Sequence, residues 1–196
     1  MMPLLVATRN RGKIKEIKAL LNGLVEEVIC AADLPDLPET VEDGATFAEN
    51  ALKKAREASK VTGLAVLADD SGLVVDGLGG RPGVYSARFA GTDATDTANN
   101  VKLLQEVAGL SQAERSAAFV CSMAYVSPDG VERLFEGRVE GTIIDQPRGK
   151  HGFGYDPLFL VNGYQQTMAE LPLEVKNRFS HRGQALRAFK NFLGGA

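Results

Sequence analysis

The sequence predicts an α/β protein with a mixed β-sheet, parallel early in the chain and antiparallel later. The first observation is a short apolar run at residues 4–7, followed by a polar loop, a helical pattern and a second apolar run at residues 25–31. This β–loop–α–β order implies parallel strands joined by a right-handed crossover. The second observation is an Asp-Gly pair at residues 129–130 between β-rich runs at residues 117–126 and 131–144. Such a pair is a strong signal for a β-hairpin.

Four helices and one further strand are predicted from apolar spacing and end signals. The predicted helices cover residues 14–21, 46–62, 96–107 and 183–193. Thr46 and Glu49 have the spacing of a capping box at the start of the second helix, and Ser180 is the expected N-cap of the last one. An apolar run at residues 64–68 predicts a buried strand, and the glycine-rich residues 77–83 predict a shaped loop.

Composition and charge describe one acidic globular domain, which we expect to cover residues 1–196. The chain is 44% hydrophobic and 24% charged, an ordinary globular composition. A domain of this length buries roughly 70% of its unfolded surface. The net charge of −3, with basic residues scattered among acids, argues against a nucleic-acid-binding protein. A phosphate ligand then needs local cations, backbone N–H groups or a metal ion.

Cysteine usage and the N-terminal residues predict a cytoplasmic protein. Cys30 and Cys121 each lie inside an apolar run, which is typical of reduced core thiols rather than a disulfide. The first charges follow the apolar residues 1–7, the reverse of a signal peptide, and this run is too short to span a membrane. We therefore expect no membrane segment and no membrane partner.

The first candidate site is the polar loop after the first strand. It consists of Thr8, Arg9, Asn10, Arg11, Gly12 and Lys13. A loop between a strand and a helix N-terminus presents backbone N–H groups and the positive end of the helix dipole, which suits a phosphate chain. Asn10 adds a side-chain donor and Lys13 adds a cation. The P-loop pattern is missing, and an ordinary solvated turn is the alternative.

The second candidate is the acidic step Asp69-Asp70-Ser71 at the end of the apolar run 64–68. Open α/β sheets bind ligands at the carboxyl ends of their strands. Side chains alternate along a strand, so the two acids are expected to point in different directions, with only one of them facing a ligand. Such a carboxylate can hold Mg²⁺ and orient or deprotonate a water molecule. A solvated acidic turn is the alternative.

A third candidate is the acidic loop before the second predicted helix. Glu42, next to an Asp-Gly pair, can reach over as a second metal ligand, and a solvated loop acid is the alternative. Glu49 is better explained as the capping-box partner of Thr46. The two histidines, His151 and His181, are too few and too poorly spaced for a zinc site.

The last two candidates lie in the C-terminal part of the chain. Two glycines flank Phe153, whose ring offers a flat face for a base, and Asp156 can accept from a base edge or a ribose. Near a helix start, Lys176, His181 and Arg182 supply cations and hydrogen-bond donors. Such donors can favour a base that carries an oxo group on its edge. A turn with a core Phe, and a capped helix with surface cations, are the alternatives.

Six short segments stand in order along the chain. They are ATRNRGK at residues 7–13, TFAENA at 46–51, ADDSGL at 68–73, PGVYSARF at 82–89, GFGYDPLF at 152–159 and SHRGQA at 180–185. Together they resemble the inosine triphosphate pyrophosphatase family, the dITP/XTP pyrophosphatases of non-standard purine nucleotides. The match runs over essentially the whole chain. The resemblance implies an elongated α/β fold with a central mixed sheet flanked by helices, two lobes around an active-site cleft, and a homodimer.

The resemblance also implies an activity and assigns roles to residues. It implies Mg²⁺-dependent hydrolysis of inosine, deoxyinosine and xanthosine triphosphates to the monophosphate and pyrophosphate, which cleanses the nucleotide pool. Asp70 would be the general base and, with Glu42, a metal ligand, and Ser71 would contact the substrate. The implied phosphate-binding residues are Thr8, Arg9, Asn10, Arg11, Gly12 and Lys13. The implied base- and sugar-binding residues are Phe153, Gly154, Tyr155, Asp156, Lys176, His181 and Arg182.

Two rival functions are compatible with a nucleotide site of this kind. One is a pyrophosphatase that acts on modified pyrimidine nucleotides, which a panel of triphosphates would reveal. The other is a nucleotide-binding sensor, which would bind triphosphates tightly and release no pyrophosphate in Mg²⁺. The acids at the strand end disfavour the sensor, because a protein that only binds nucleotides needs no activated water.

Overall fold

The computed structural model describes residues 3–23 and 25–194, so Met1 and Met2 of the N-terminal apolar run lie outside the described residues. In chain order the elements are β1 (Leu4–Val6), α1 (Arg11–Leu21), β2 (Val28–Cys30), α2 (Phe47–Thr62), β3 (Ala65–Val75), α3 (Asp96–Val107), β4 (Ser116–Val126), β5 (Glu132–Ile143), β6 (Phe159–Val161), α4 (Leu173–Phe179) and α5 (His181–Gly194). Short 3₁₀ turns connect several of them. Within the described ranges, no helix combines the length and the apolar character needed to cross a membrane.

The described strands form one mixed sheet in the order β2-β1-β3-β4-β5-β6. β1 pairs in parallel with both β2 and β3, so that Leu5 lies opposite Ile29 on one side and Val66 on the other. β5 pairs antiparallel with β6, with Thr142 opposite Leu160. The predicted α/β class, with a mixed sheet flanked by helices, is therefore confirmed.

The turn between β4 and β5 is the predicted hairpin. The Ser127 N–H donates to the Val131 carbonyl over 3.0 Å, and the Gly130 N–H donates to the Ser127 carbonyl over 3.0 Å. Gly130 has a φ of 89°, in the left-handed region that glycine adopts at no steric cost. Neighbouring strands joined by so short a turn can only run antiparallel.

Capping residues place α2 and α3 where the sequence predicts them. Thr46 Oγ1 accepts from the Glu49 N–H over 3.1 Å, and the Glu49 carboxylate accepts from the Thr46 N–H over 3.3 Å. Gly63, in the left-handed conformation, ends α2. Thr95 caps α3, which covers the predicted residues 96–107. The assignment of Glu49 to a capping box is confirmed.

The strand that carries the acidic step is longer than predicted. β3 does not end at Ala68 but continues through Asp69 and Asp70 into the next apolar run. Cations and an amide satisfy the two buried carboxylates, so the strand can hold them without leaving the sheet. β1 ends at Val6, opposite Leu67. Both acids therefore lie beyond the carboxyl end of β1, which is where ligand sites of open α/β sheets are found.

Three other predicted boundaries are wrong by a few residues. α1 begins inside the predicted polar loop, because the Asn10 side chain caps the helix there. β2 covers only Val28–Cys30, and α5 begins at His181, two residues before the predicted start. β6 has 3 residues and α4 has 7, which is too short for a periodic pattern to predict them.

The described chain divides into two compact units, each with its own apolar core. The first unit contains the chain up to Asp70, Cys121–Gly137 and the chain from Arg182 onward. Its core includes Leu5, Ile17, Leu67, Met123 and Phe189. The second unit contains Ser71–Val120 and Arg138–His181, and its core includes Leu73, Leu103, Phe119, Phe159 and Met168. The cleft between two lobes stays a prediction.

Candidate active site

The two acids of β3 have different partners within the first unit. Asp69 Oδ1 lies 3.0 Å from the Lys13 ammonium, and Asp69 Oδ2 accepts from the Arg182 Nε–H over 3.2 Å. Asp70 Oδ2 accepts instead from the Asn50 amide over 3.0 Å. The predicted alternation is confirmed, because successive side chains of a strand point to opposite faces. The acidic step therefore forms two separate carboxylate sites.

Asp69 belongs to a buried network of charges. Arg182 is 2% exposed and also donates to the Glu16 carboxylate. Burial alone would raise the pKa of Asp69, but Lys13, Arg182 and Lys54 outweigh burial and hold that pKa well below its usual range. Asp69 is therefore ionised at neutral pH, with both oxygens paired with cations. These pairings give Asp69 a structural role in the first unit.

Asp70 lies in a less favourable place for a negative charge. The residue is 5% exposed, and this burial raises the pKa of Asp70 above its usual value. Lys54 and Lys13 act against the rise, whereas Glu42 adds to it. A general base works best when its pKa approaches the working pH. Of the two acids, Asp70 is the one whose surroundings suit proton transfer.

Lys54 connects Asp70 to Glu42. Its Nζ lies 2.8 Å from Glu42 Oε1 and 3.9 Å from Asp70 Oδ1, and it donates to the Asp69 carbonyl over 3.0 Å. Burial opposes the charged ammonium, but Asp70, Glu42 and Asp69 outweigh burial and raise the pKa of Lys54. The structure thus brings Glu42 and Asp70, the two predicted metal ligands, together around one cation.

Sequence reasoning missed Asn50 and Lys54 as residues of this site. Both belong to α2 and stand four residues apart, which places them on the same face of the helix. Asn50 is fully buried, and a buried amide needs hydrogen-bond partners. An Asn and a Lys at helical spacing beside the buried Ala51 and Ala55 are the signal that could have identified them.

Glu42 and Asp70 supply oxygen donors of the kind that Mg²⁺ prefers. Across residues 3–23 and 25–194, no group of three or more His, Cys, Asp or Glu side chains could hold a metal ion. Mg²⁺ is commonly held by only one or two carboxylates, with substrate phosphates and water completing its shell. The donor set therefore fits Mg²⁺ that binds together with a phosphate ligand.

The predicted phosphate-binding residues form the start of α1. Asn10 Oδ1 accepts from the Lys13 N–H over 3.1 Å, and the Asn10 N–H donates to Thr8 Oγ1 over 3.2 Å. Arg11 and Gly12 are the first two residues of the helix. The first N–H groups of a helix have no intrahelical partner and attract anions. Because the cap engages the Lys13 N–H, an anion here would meet the N–H groups of Arg11 and Gly12.

Arg9 forms hydrogen bonds with the segment that follows β2. Its guanidinium donates to the carbonyl of Ala31 over 3.2 Å and to the carbonyl of Leu37 over 2.6 Å. These bonds hold the segment after β2 against the loop before α1. The predicted contact of Arg9 with phosphate stays a prediction.

The second unit holds the predicted base-binding segment at residues 152–156. Asp156 Oδ2 accepts from Lys176 Nζ over 2.6 Å and from the Phe153 N–H over 3.2 Å, and Asp156 and Lys176 are both buried. The Tyr155 hydroxyl donates to a backbone carbonyl of the same unit over 2.8 Å. The structure thus joins Asp156 and Lys176, which were predicted from separate segments, in one buried ion pair.

The remaining predicted substrate residues have contacts of several kinds. The His181 ring stacks on Phe119 in the second unit, with ring centroids 5.0 Å apart and planes at 17°. Ser71 is half-buried in β3. Arg182, in the first unit, donates to the carboxylates of Asp69 and Glu16. Its predicted bond to a purine base stays a prediction.

Comparisons with known proteins identify relatives of this chain. Residues 4–192 match the sequence model of the Ham1 family. A dITP/XTP pyrophosphatase of Geobacter sulfurreducens is 57% identical over 194 residues, 99% of this chain and 98% of that protein. The structure of a HAM1 protein from Coxiella burnetii is 42% identical, with a TM-score of 0.90 over 100% of both chains. A nucleoside-triphosphatase / dITP/XTP pyrophosphatase from Mycobacterium abscessus is 47% identical, with a TM-score of 0.78 over 96% of this chain and 98% of that one.

The fold and the site define an α/β protein with two buried acids beyond the carboxyl end of a parallel strand. The chain belongs to the Ham1 family. The resemblance predicted from the six segments is therefore confirmed. The predicted enzyme class is confirmed at the level of the family, whose curated relatives carry the name dITP/XTP pyrophosphatase.

Proposed function

We propose that this chain hydrolyses non-standard purine nucleoside triphosphates (ITP, dITP and XTP) to the monophosphate and pyrophosphate, with Mg²⁺. The observation that carries the proposal is the group around Lys54, where the buried Asp70 and a second carboxylate, Glu42, meet one cation. The names of the relatives support the substrate class. A cytoplasmic location, a homodimer and a role in cleansing the nucleotide pool belong to the same proposal.

Asp70 is the proposed general base. Its carboxylate accepts a proton from water, and the water oxygen forms the new bond to the α-phosphorus. The bond from the α-phosphorus to the bridging oxygen breaks, and pyrophosphate leaves with that oxygen. Asn50, which donates to Asp70 Oδ2 over 3.0 Å, orients the carboxylate for this transfer. The raised pKa of Asp70, caused by burial, favours its acceptance of the proton.

Cations and helix N–H groups balance the charge of the triphosphate. Lys13 and Lys54 each place an ammonium group near one acid of β3, at 3.0 Å from Asp69 and 3.9 Å from Asp70. The start of α1 adds backbone N–H groups and the positive end of its dipole. Donors that are already in place stabilise charge that develops during the reaction without having to reorganise.

Glu42 and Asp70 are the residues proposed to hold Mg²⁺. Both carboxylates are drawn towards the Lys54 ammonium, so their oxygens converge. When bound, Mg²⁺ neutralises phosphate oxygens and polarises the phosphoryl group. Lys54 keeps the two carboxylates together.

Residues in the C-terminal part of the chain are proposed to recognise the base. Phe153 stacks on the purine ring, and the buried pair of Asp156 and Lys176 holds the segment around it and contacts the base or sugar. His181 and Arg182 are proposed to donate to the 6-oxo group. Donors aimed at this position favour an oxo group and disfavour the 6-amino group of adenine.

Pyrophosphate release from ITP, compared with ATP and GTP in the presence and absence of Mg²⁺, tests the proposed function. We expect release from ITP, dITP and XTP that depends on Mg²⁺, with kcat/KM about a hundredfold or more above that for ATP. Equal turnover of ITP and ATP would contradict the substrate class. Preference for a modified pyrimidine would establish the runner-up activity, and tight binding without release would establish a sensor.

Gly152→Ala is expected to displace the pair of Asp156 and Lys176. Gly152 has a φ of 81°, and a Cβ on it would lie 1.9 Å from Asp156 Oδ2 and 2.8 Å from Lys176 Nζ. The left-handed backbone should cost about 1–2 kcal/mol of stability, and the clash should add to that loss. Since the pair holds the proposed base-binding segment, KM for ITP should rise as well. Thermal unfolding and steady-state kinetics measure the two effects.

Gly163→Ala is the matched control for this variant. Gly163 has a φ of 80°, and a Cβ on it would meet no atom within 4 Å. It therefore introduces similar backbone strain without the clash, and KM should not change. Equal loss of stability in both variants, with the KM for ITP unchanged in both, would show that close packing at Gly152 is unimportant.

A further inference from the structure

We propose that Asp96 and Asn100 are positioning residues that set the affinity for the base by clamping Gly154. The proposal rests on the proposed function, in which Phe153 stacks on a purine ring. Neither residue was a candidate at the level of sequence, where residues 96–107 were expected only to form a helix. The clamp lies entirely within the second unit.

The clamp holds both sides of Gly154 through its backbone. The Gly154 N–H donates to Asp96 Oδ2 over 2.7 Å, and the Asn100 amide donates to the Gly154 carbonyl over 2.9 Å. Asp96 and Asn100 stand four residues apart on α3, so they present neighbouring side chains on one helix face. One helix surface therefore supplies an acceptor and a donor to a single glycine.

Holding Gly154 fixes the direction of the Phe153 ring. The Gly154 N–H belongs to the peptide that follows Phe153, and the N–H of Phe153 itself donates to Asp156 Oδ2 over 3.2 Å. Both peptides that flank Phe153 are thus tied to side chains. Gly154 has a φ of 60°, and glycine is otherwise the residue with the most backbone freedom. Without the clamp, this freedom would let the aromatic ring turn away from a bound base.

The same stretch of α3 also holds the preceding segment of the second unit. Asn99 Oδ1 accepts from the Ala90 N–H over 2.7 Å, and the Asn99 amide donates to the Ala87 carbonyl over 3.1 Å. Thr95 Oγ1, in contrast, accepts from the Ala98 N–H over 3.2 Å and so serves α3 itself. Substitution of Thr95 is therefore a suitable control, because it removes the cap of α3 without removing a hydrogen bond to Gly154.

Kinetics of four single variants and one double variant on ITP test the proposal. Asp96→Ala and Asn100→Ala should each raise KM about fivefold, as expected for one lost hydrogen bond, and the double variant about tenfold or more. The kcat should stay within about twofold, because Asp70 and its surroundings are unchanged. Asp96→Asn keeps an acceptor oxygen and should restore the wild-type KM. Thr95→Ala should lower Tm by about 2–4 °C without a change in KM.

Three results would overturn the clamp. They are an unchanged KM in Asp96→Ala and Asn100→Ala, the same rise of KM in Thr95→Ala, or a fall of kcat with KM unchanged. Failure of the proposed function is visible separately, because wild-type protein would then release no pyrophosphate from ITP. In that case the proposed function fails, and the role of the clamp in binding a purine base fails with it. If the wild type releases pyrophosphate from ITP and any of the three results is found, only the clamp is contradicted and the proposed function stands.

Discussion

Asp70→Asn should abolish pyrophosphate release from ITP while leaving the protein folded. The variant keeps an oxygen that can accept from Asn50, but it can no longer take a proton from water. Loss of a general base lowers rates by about a hundredfold to ten-thousandfold, and we expect a loss of about a thousandfold or more because a metal ligand is lost as well. The rate of pyrophosphate release from ITP in a single turnover measures this loss. Near-normal turnover would exclude Asp70 as the base.

The stability of Asp70→Asn provides an independent check. Burial raises the pKa of Asp70 above its usual 3.8, so the folded state holds this proton more tightly than the unfolded state. Stability then falls as the pH rises through the interval between the two pKa values, because the folded state resists the ionisation of Asp70. Asn carries no charge, so Tm at pH 7 should equal or exceed that of the wild type. Asp145→Asn, at an exposed acid that pairs with Arg115, should leave turnover unchanged and Tm nearly unchanged.

Asp69→Asn should cause a large loss of stability. The substitution removes the charge that faces Lys13 and the buried Arg182, and it leaves Arg182 with one fewer carboxylate. Removing one partner of a buried ion pair typically costs 3–5 kcal/mol, and we expect about 3 kcal/mol because Glu16 still pairs with Arg182. Urea unfolding at pH 7 measures the difference in the free energy of unfolding.

The pH dependence of this loss follows from the direction of the pKa shift. Lys13, Arg182 and Lys54 outweigh burial and hold the pKa of Asp69 below its unfolded value of 3.8. The stabilising contribution of Asp69 is therefore fully present above that unfolded value and fades as the pH falls through the folded one. The gap between wild type and variant should be constant from about pH 8 to 5 and narrow below about pH 4. A gap that widens in acid would contradict this assignment.

Glu132→Gln is the control for a surface ion pair. Arg56 donates to both oxygens of Glu132, over 2.7 and 2.6 Å, but both side chains are well exposed. Exposed pairs contribute little to stability even with good geometry. Glu132→Gln should therefore leave the free energy of unfolding nearly unchanged. A loss as large as that of Asp69→Asn would show that burial does not explain the difference.

Local signals predicted much of the fold, because a helix cap or a tight turn is determined by a few neighbouring residues. Thr46 and Glu49 define the start of α2, and the Asp-Gly pair at residues 129–130 defines the hairpin. The length of β3 could not be predicted in this way. In the sequence, two acids after an apolar run indicate that the strand ends there. The groups that neutralise Asp69 are Lys13 and Arg182, which lie in distant segments of the chain.

The type of chemistry at the site could be predicted from the sequence, but the contacts between its residues could not. Strand alternation correctly separated Asp69 from Asp70, and the structure brings Glu42 to the second of them through Lys54. No spacing in the sequence shows that Arg182 donates to Asp69 rather than to solvent. Such contacts depend on which segments the fold brings together, and that information is tertiary.

The division of the first unit among distant segments has a consequence for synthesis. Arg182 follows Asp69 by 113 residues, and both belong to the same compact unit. A ribosome therefore produces the acids of β3 long before it produces the cation and the α5 residues, such as Phe189, that complete their surroundings. Contacts between residues so far apart form slowly, because the intervening chain must be ordered first. The unit that carries Asp70 can therefore acquire its native core only after the residues of α5 have been synthesised.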